Sequence, residues 1–149
     1  LKGGAVCKAE IVRGIAKALK MDVLTPPAAT GDVDTDVRAK AEGALTLLEQ
    51  NDFVIAHFNG SDEAAHRYDY QAKADFISRI DEQFVQTIAA QYKEPLRVVI
   101  CGDHVTSSVT GKHSDGCMPV IAGYLNTSGQ HIELTSYRDI LNFLMKESD

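Results

Sequence analysis

The chain has 149 residues, 44% hydrophobic and 24% charged, with a formal net charge of -6. That length closes one core of ordinary size, and the composition is that of a folded protein, not a disordered or fibrous one. The negative charge and the scattered lysines and arginines exclude a nucleic-acid surface, and the absence of a long apolar run leaves no membrane span or secretory leader to place.

In chain order, apolar residues from Ala5 to Leu19 recur at helical spacing between cations, which predicts an amphipathic helix entered from a turn at the start of the chain. Met21 to Leu24 reads as a short buried strand stopped by Pro26 and Pro27. After the break at Thr30-Gly31-Asp32, one of Asp34, Thr35 or Asp36 caps a helix running to about Gln50, with Val37, Ala41, Ala44, Leu45 and Leu48 inward. Phe53 to Phe58 predicts a core strand with His57 inside it, followed by the polar turn Asn59 to Asp62. A long helix is expected from Tyr70 to Tyr92, burying Ala74, Ile77, Ile80, Phe84, Val85 and Ile88. Leu96 to Cys101, with its run Val98-Val99-Ile100, predicts a central strand buried on both faces. Met118 to Tyr124 predicts another strand and Ser136 to Lys146 a last helix. Alternating strands and helices define an α/β fold with a mainly parallel sheet.

Two strand ends carry metal-type side chains. Asp62-x-x-x-His66 puts a carboxylate and an imidazole on one side if the chain turns helically after Ser61. Asp103-His104 leaves the second strand, and His113 follows across a polar loop. Neighbouring side chains of a strand point to opposite faces, so Asp103 and His104 suit a tight turn. Oxygen and imidazole donors without a convincing thiolate favour manganese, zinc or magnesium, and two such ions would hold the attacking and leaving oxygens of a phosphoryl group. A site shared by both loops requires the turns bearing Asp62 and Asp103 to meet at one sheet edge. His57 suits a supporting position behind the ligands. Ser61, Thr106, Ser107, Ser108 and Ser114 are explained by capping and turn bonding, Cys101 as a packed thiol, and His131 as a solvated side chain. Arg67 and Lys112 flank the ligand loops as candidate phosphate-attracting cations. Cys7, Cys101 and Cys117 are too few and too far apart for a disulfide framework.

The blocks FVIAHFNGSDEAAHRYDYQAKADFISRID, ICGDHVTSSVTGKHSDGCMPVIAGY and IVRGIAKALKMDVLTPPAATGDVDTDVRAKAEGAL resemble, in order, three segments of the archaeal-type cofactor-independent phosphoglycerate mutases of the alkaline-phosphatase superfamily. The resemblance runs from about Ala9 to Tyr124 and implies a three-layer α/β/α sandwich. It implies that Asp62, His66 and His113 bind one divalent ion, and that Asp103 and His104 bind a second. It further implies interconversion of 3-phosphoglycerate and 2-phosphoglycerate through a serine that is transiently phosphorylated, while the lack of a span or leader to place makes the cytoplasm the expected location. In that family the serine and another aspartate lie nearer the amino terminus. With Leu1 as first residue, the chain is therefore expected to be a carboxyl-terminal part of one catalytic domain, inert without the preceding part of the same protein. Asn59 stands where several relatives carry Lys, and His113-Ser114-Asp115-Gly116-Cys117 replaces a tighter loop, so substrate identity stays open. The alternatives are a homoserine kinase-like enzyme, a phosphatase of the same superfamily, or a metal-binding module without turnover.

Overall fold

The computed structural model describes residues 1–127 and 134–145; His131 lies outside the described residues. The chain divides into two compact units, the first formed by Leu1–Tyr92 with Thr106–Lys112, the second by Lys93–Val105 with the chain from His113 onward.

The first unit is built on a three-stranded parallel sheet with the order β2-β1-β3. Its centre is β1 (Gly3–Val6), flanked by β2 (Asp22–Leu24) and β3 (Phe53–Ala56). Here the expectation from periodicity is corrected: the predicted first helix is a strand followed by a shorter helix, α1 (Glu10–Ala18). All four residues of β1 are buried. Two glycines and two small apolar residues make a run too short to show alternation, so in sequence it merges with the helical pattern that follows. Gly3 and Gly4 admit close neighbours, since a Cβ on Gly4 would lie 3.1 Å from Cβ of Leu47.

That neighbour belongs to α2 (Val37–Leu48), capped by Asp36, whose carboxylate accepts from the Ala39 amide at 2.8 Å. Val37, Ala41, Ala44 and Leu47 are buried, whereas Leu45 and Leu48 are only partly so. Gly43 lets the helix approach the sheet, because a Cβ there would meet Leu24 Cδ2 at 2.8 Å. The same face carries Lys40 at 1% exposure. Its ammonium donates to the carbonyl of His57 at 2.9 Å and lies 4.7 Å from the centroid of Phe58.

After β3 the chain forms α3 (Gly60–His66), then α4 (Tyr70–Ile80), a π-helical turn (Asp81–Val85) and α5 (Gln86–Gln91). The single long helix expected from Tyr70 to Tyr92 is thus interrupted. Phe76 is buried in place of Ala74 and Ile77, which are exposed. The π turn supplies the reason: one extra residue rotates the face upstream of it by about 100°, so a stripe counted backwards from Ile88 at α-helical spacing misses by one position. Phe58 stands edge-on to Phe76 and Phe84 at centroid distances of 6.3 and 5.2 Å.

In the second unit β4 (Leu96–Cys101) pairs antiparallel with β7 (Val120–Leu125), from Leu96 opposite Leu125 to Cys101 opposite Val120. The expected strand buried on both faces is corrected here. β4 is partly exposed along its length and belongs to a two-stranded sheet, and Cys101 is exposed, not packed. A β-branched run reports strand preference more faithfully than the number of neighbours the strand acquires. Helix α6 (Tyr137–Met145) sets Phe143 edge-on against Tyr124 at 5.4 Å. Its start is closed by Asp139, which accepts from the amides and hydroxyls of both Thr135 and Ser136, and these bonds hold its carboxyl below the usual range. A short hairpin not expected from the sequence, β5 (Val105–Ser107) and β6 (Lys112–Ser114), spans the polar loop before His113. No helix among the described residues is long and apolar enough to cross a membrane.

Candidate metal centre

In the first unit the chain does turn helically after β3, and Asp62 and His66 occupy positions one turn apart on α3. Nε2 of His66 lies 3.4 Å from Oδ1 of Asp62. The other ring nitrogen, Nδ1, is 2.8 Å from the carbonyl oxygen of Gly111. A carbonyl only accepts, so Nδ1 donates to it, and Nε2 is the ring nitrogen left on the side of the carboxylate to ligate a cation. This carbonyl partner fixes the tautomer a metal-binding imidazole needs.

The carboxylate is oriented as well. Oδ1 of Asp62 accepts a short hydrogen bond from the hydroxyl of Thr106, a side chain buried to 5% exposure. Thr106 is in turn held through its carbonyl by Nζ of Lys73 at 2.8 Å. The loop that follows is tight: the Gly111 amide donates to the Ser107 carbonyl at 2.8 Å, and Gly111 has φ +64. A side chain there would face backbone strain and meet Tyr68 Cζ at 2.8 Å and His66 O at 3.1 Å. Ser107 accepts from the amides of Val109 and Thr110, the turn-bonding role expected of it.

In the second unit Asp103 and His104 sit in the bend between β4 and β5, the tight turn that adjacent ligands require. Oδ1 of Asp103 is 3.1 Å from the His104 amide, which donates to it, and 3.6 Å from His104 Nε2. His113 stacks on His104 with ring centroids 3.8 Å apart and planes inclined by 29°. One nitrogen of each ring lies within 4.8 Å of the other. His104 and His113, nine positions apart in sequence, are thus brought together by the bend and the hairpin, with Asp103 beside His104.

The remaining candidates divide. His57 follows β3, its amide donating to Val6 and its carbonyl accepting from Lys40. Arg67 is engaged by both oxygens of Asp32 at 2.7 and 2.6 Å, while Lys112 is exposed. Cys7 is buried, and burial pushes its thiol up in spite of nearby Arg13 and Lys40. The contributions of Thr106, Gly111 and Lys40 were not visible in the sequence as site features. In sequence Thr106 is indistinguishable from a turn hydroxyl, and a backbone carbonyl leaves no mark on residue type.

The donors fit a hard or borderline divalent cation: carboxylate oxygens, imidazoles with a supporting carbonyl, and no thiolate. The family model of the metalloenzyme superfamily matches residues 1–140, and the chain belongs to that superfamily. Among its relatives are 2,3-bisphosphoglycerate-independent phosphoglycerate mutases of archaea. That of Metallosphaera sedula is 38% identical over 121 residues, covering 81% of this chain and 29% of the relative. That of Thermococcus kodakarensis is 33% identical over 141 residues, covering 95% of this chain and 34% of the relative. The solved structure of the PH0037 protein from Pyrococcus horikoshii superposes with a TM-score of 0.76 at 35% identity, covering 81% of this chain and 37% of that one. The fold is accordingly the α/β metalloenzyme fold, and the chain spans about a third of the length of the relatives it matches.

Because Thr106 orients Asp62 without being a candidate ligand itself, Thr106→Val is expected to weaken divalent-metal binding by about ten- to a hundredfold. Calorimetric titration of manganese into the intact protein checks this. An unchanged affinity would mean that the Thr106 hydroxyl does not set the ligand geometry.

Proposed function

We propose that this chain carries metal-binding machinery of a phosphoglycerate mutase that interconverts 3-phosphoglycerate and 2-phosphoglycerate without bisphosphoglycerate. The observation that supports this reading most is the preset pair on α3. Asp62 and His66 are each held from behind, by Thr106 and by the Gly111 carbonyl, so that a carboxylate and the Nε2 edge of an imidazole face each other. Mutases of several archaea, at 33% to 38% identity, supply the substrate class.

By motif position Asp62, His66 and His113 take one divalent ion, and Asp103 and His104 take a second. Manganese, zinc or magnesium suits this donor set. Bound there, the ions would supply charge neutralisation for a transferring phosphoryl group and lower the pKa of an attacking hydroxyl. The chain's own residues do the rest: Gly111 keeps the His66 proton on Nδ1, Thr106 steers the Asp62 carboxylate, and the bend at Gly102-Asp103-His104 presents two adjacent donors together. The phosphoryl group passes to a serine of the same protein and returns to the neighbouring hydroxyl of the glycerate, with the substrate a phosphorylated small molecule.

The intact protein is expected to convert 3-phosphoglycerate to 2-phosphoglycerate with no added bisphosphoglycerate, to lose activity on chelation, and to regain it with manganese. ³¹P NMR separates the two monophosphates and inorganic phosphate in one spectrum. Release of inorganic phosphate alone would make the protein a phosphatase, and phosphorylation of homoserine from a nucleotide would make it a kinase. Either result replaces the mutase reading.

A further inference from the structure

The loop Thr30–Thr35, which begins at the break before α2, touches both ends of α3, the helix that carries Asp62 and His66. At the start of α3, a Cβ on Gly60 would lie 2.8 Å from the Val33 amide nitrogen and 2.9 Å from the Asp32 carbonyl carbon. The loop backbone is therefore packed directly against the first turn, at a spacing only glycine permits. Past the last turn, Arg67 returns to the same residue, its two Nη atoms donating to the two oxygens of Asp32 at 2.7 and 2.6 Å. This guanidinium holds the Asp32 carboxyl below its usual range.

The loop itself is well fixed. The Thr30 hydroxyl is 2.5 Å from Oδ1 of Asp34, and the Thr30 amide donates to the Thr35 hydroxyl at 3.0 Å. The Val33 amide donates to Asp32 Oδ1 at 2.6 Å. From α4, Arg79 donates to the carbonyls of Val33 and Thr35. One short segment thus braces a seven-residue helix at both termini, and Asp62 and His66 lie between the two points of contact.

We propose that the Thr30–Thr35 loop is the positioning element of the Asp62 and His66 ligand pair, and that the forked contact between Arg67 and Asp32 sets the angle at which α3 presents them. The proposal rests on the reading that Asp62 and His66 bind a divalent cation. Arg67 and Asp32 side chains are 47% and 42% exposed, and exposed ion pairs add little to global stability. A two-pronged guanidinium–carboxylate contact constrains orientation, which a single ammonium contact does not. The pair is thus suited to aim the helix without contributing much to folding.

The experiment uses cobalt(II) as the probe, titrated into the intact protein and followed by its visible d–d absorption and by calorimetry. Asp32→Asn is expected to weaken cobalt binding about tenfold, in the range seen when support behind a ligand is lost, and to change the shape of the absorption bands, with the thermal midpoint near that of the parent. Arg67→Lys keeps the charge but loses the fork, and is expected to move affinity and spectrum the same way. Parent-like affinity and spectrum in Asp32→Asn overturn the proposal. If that variant does not fold, the same result in Arg67→Lys overturns it. Asp62→Ala separates the two claims: cobalt binding unaffected there removes the ligand reading itself, whereas binding lost there but unmoved by the Asp32 and Arg67 changes removes only the bracing role.

Discussion

Asp62→Ala and His104→Ala are each expected to lower the rate of 3-phosphoglycerate conversion by roughly a thousandfold. Lewis-acid stabilisation of a transferring phosphoryl group contributes several kcal/mol to the transition state, and each 1.36 kcal/mol is a factor of ten in rate. Loss of a direct ligand removes much of that stabilisation. Loss of a hydroxyl behind the ligand, as in Thr106→Val, removes less. Steady-state kinetics at saturating metal therefore order the variants, with Asp62→Ala and His104→Ala well below Thr106→Val. Activity within tenfold of the parent in Asp62→Ala would show that this carboxylate is not a ligand of a catalytic ion.

The second large effect concerns Lys40 and the alkaline limb of stability. Burial lowers the Lys40 pKa from its ordinary 10.5 to about 8, because the ammonium has exchanged water for one carbonyl and the face of Phe58. Below pH 8 both native and unfolded chains carry the proton, and the fold bears the full cost of the buried charge. Between pH 8 and 10.5 the native state has released the proton while the unfolded state retains it, so stability rises with pH over that window. The drop to about 8 corresponds to about 3 kcal/mol. Lys40→Met removes this group and with it the pull of its charge on the buried Cys7 thiol, so both proteins carry Cys7→Ala in the comparison. The stability difference between parent and variant, from urea unfolding, is expected to move by about 3 kcal/mol in the parent's favour between pH 7 and 10.5. A difference that stays constant across that range would mean Lys40 is not held as a buried ammonium.

The candidate ligands Asp62, Asp103 and His104 are legible in the sequence because they follow predicted strands, and imidazoles are rare enough that His66 and His113 stand out beside them. Asp62 and His66 could be paired by counting, since a four-residue step on a helix has one geometry. Their supports could not, because Gly111 acts through its carbonyl and Thr106 through a hydroxyl that resembles many turn hydroxyls. The alternation of strands and helices identified the α/β class, and β2, β3 and α2 fall close to where patterning puts them. Two failures have local causes. β1 is four residues of small side chains, whose burial comes from glycine-mediated approach of α2 and not from an alternating pattern. The buried stripe of α4 departs from the expected one because a π turn shifts the phase without altering composition. Lys40 is hidden for a related reason: periodicity marks apolar positions, and a lysine on the inward face registers as a break in the stripe instead of part of it.

Metal content bears on the central claim most directly. The intact protein, dialysed against manganese and freed of loosely bound ions, is expected to retain two ions per chain by elemental analysis. Asp62→Ala and His104→Ala should each retain fewer, with the fold intact by circular dichroism. Full occupancy in both variants, or none in the parent, would contradict the assignment of these loops as the cation-binding machinery.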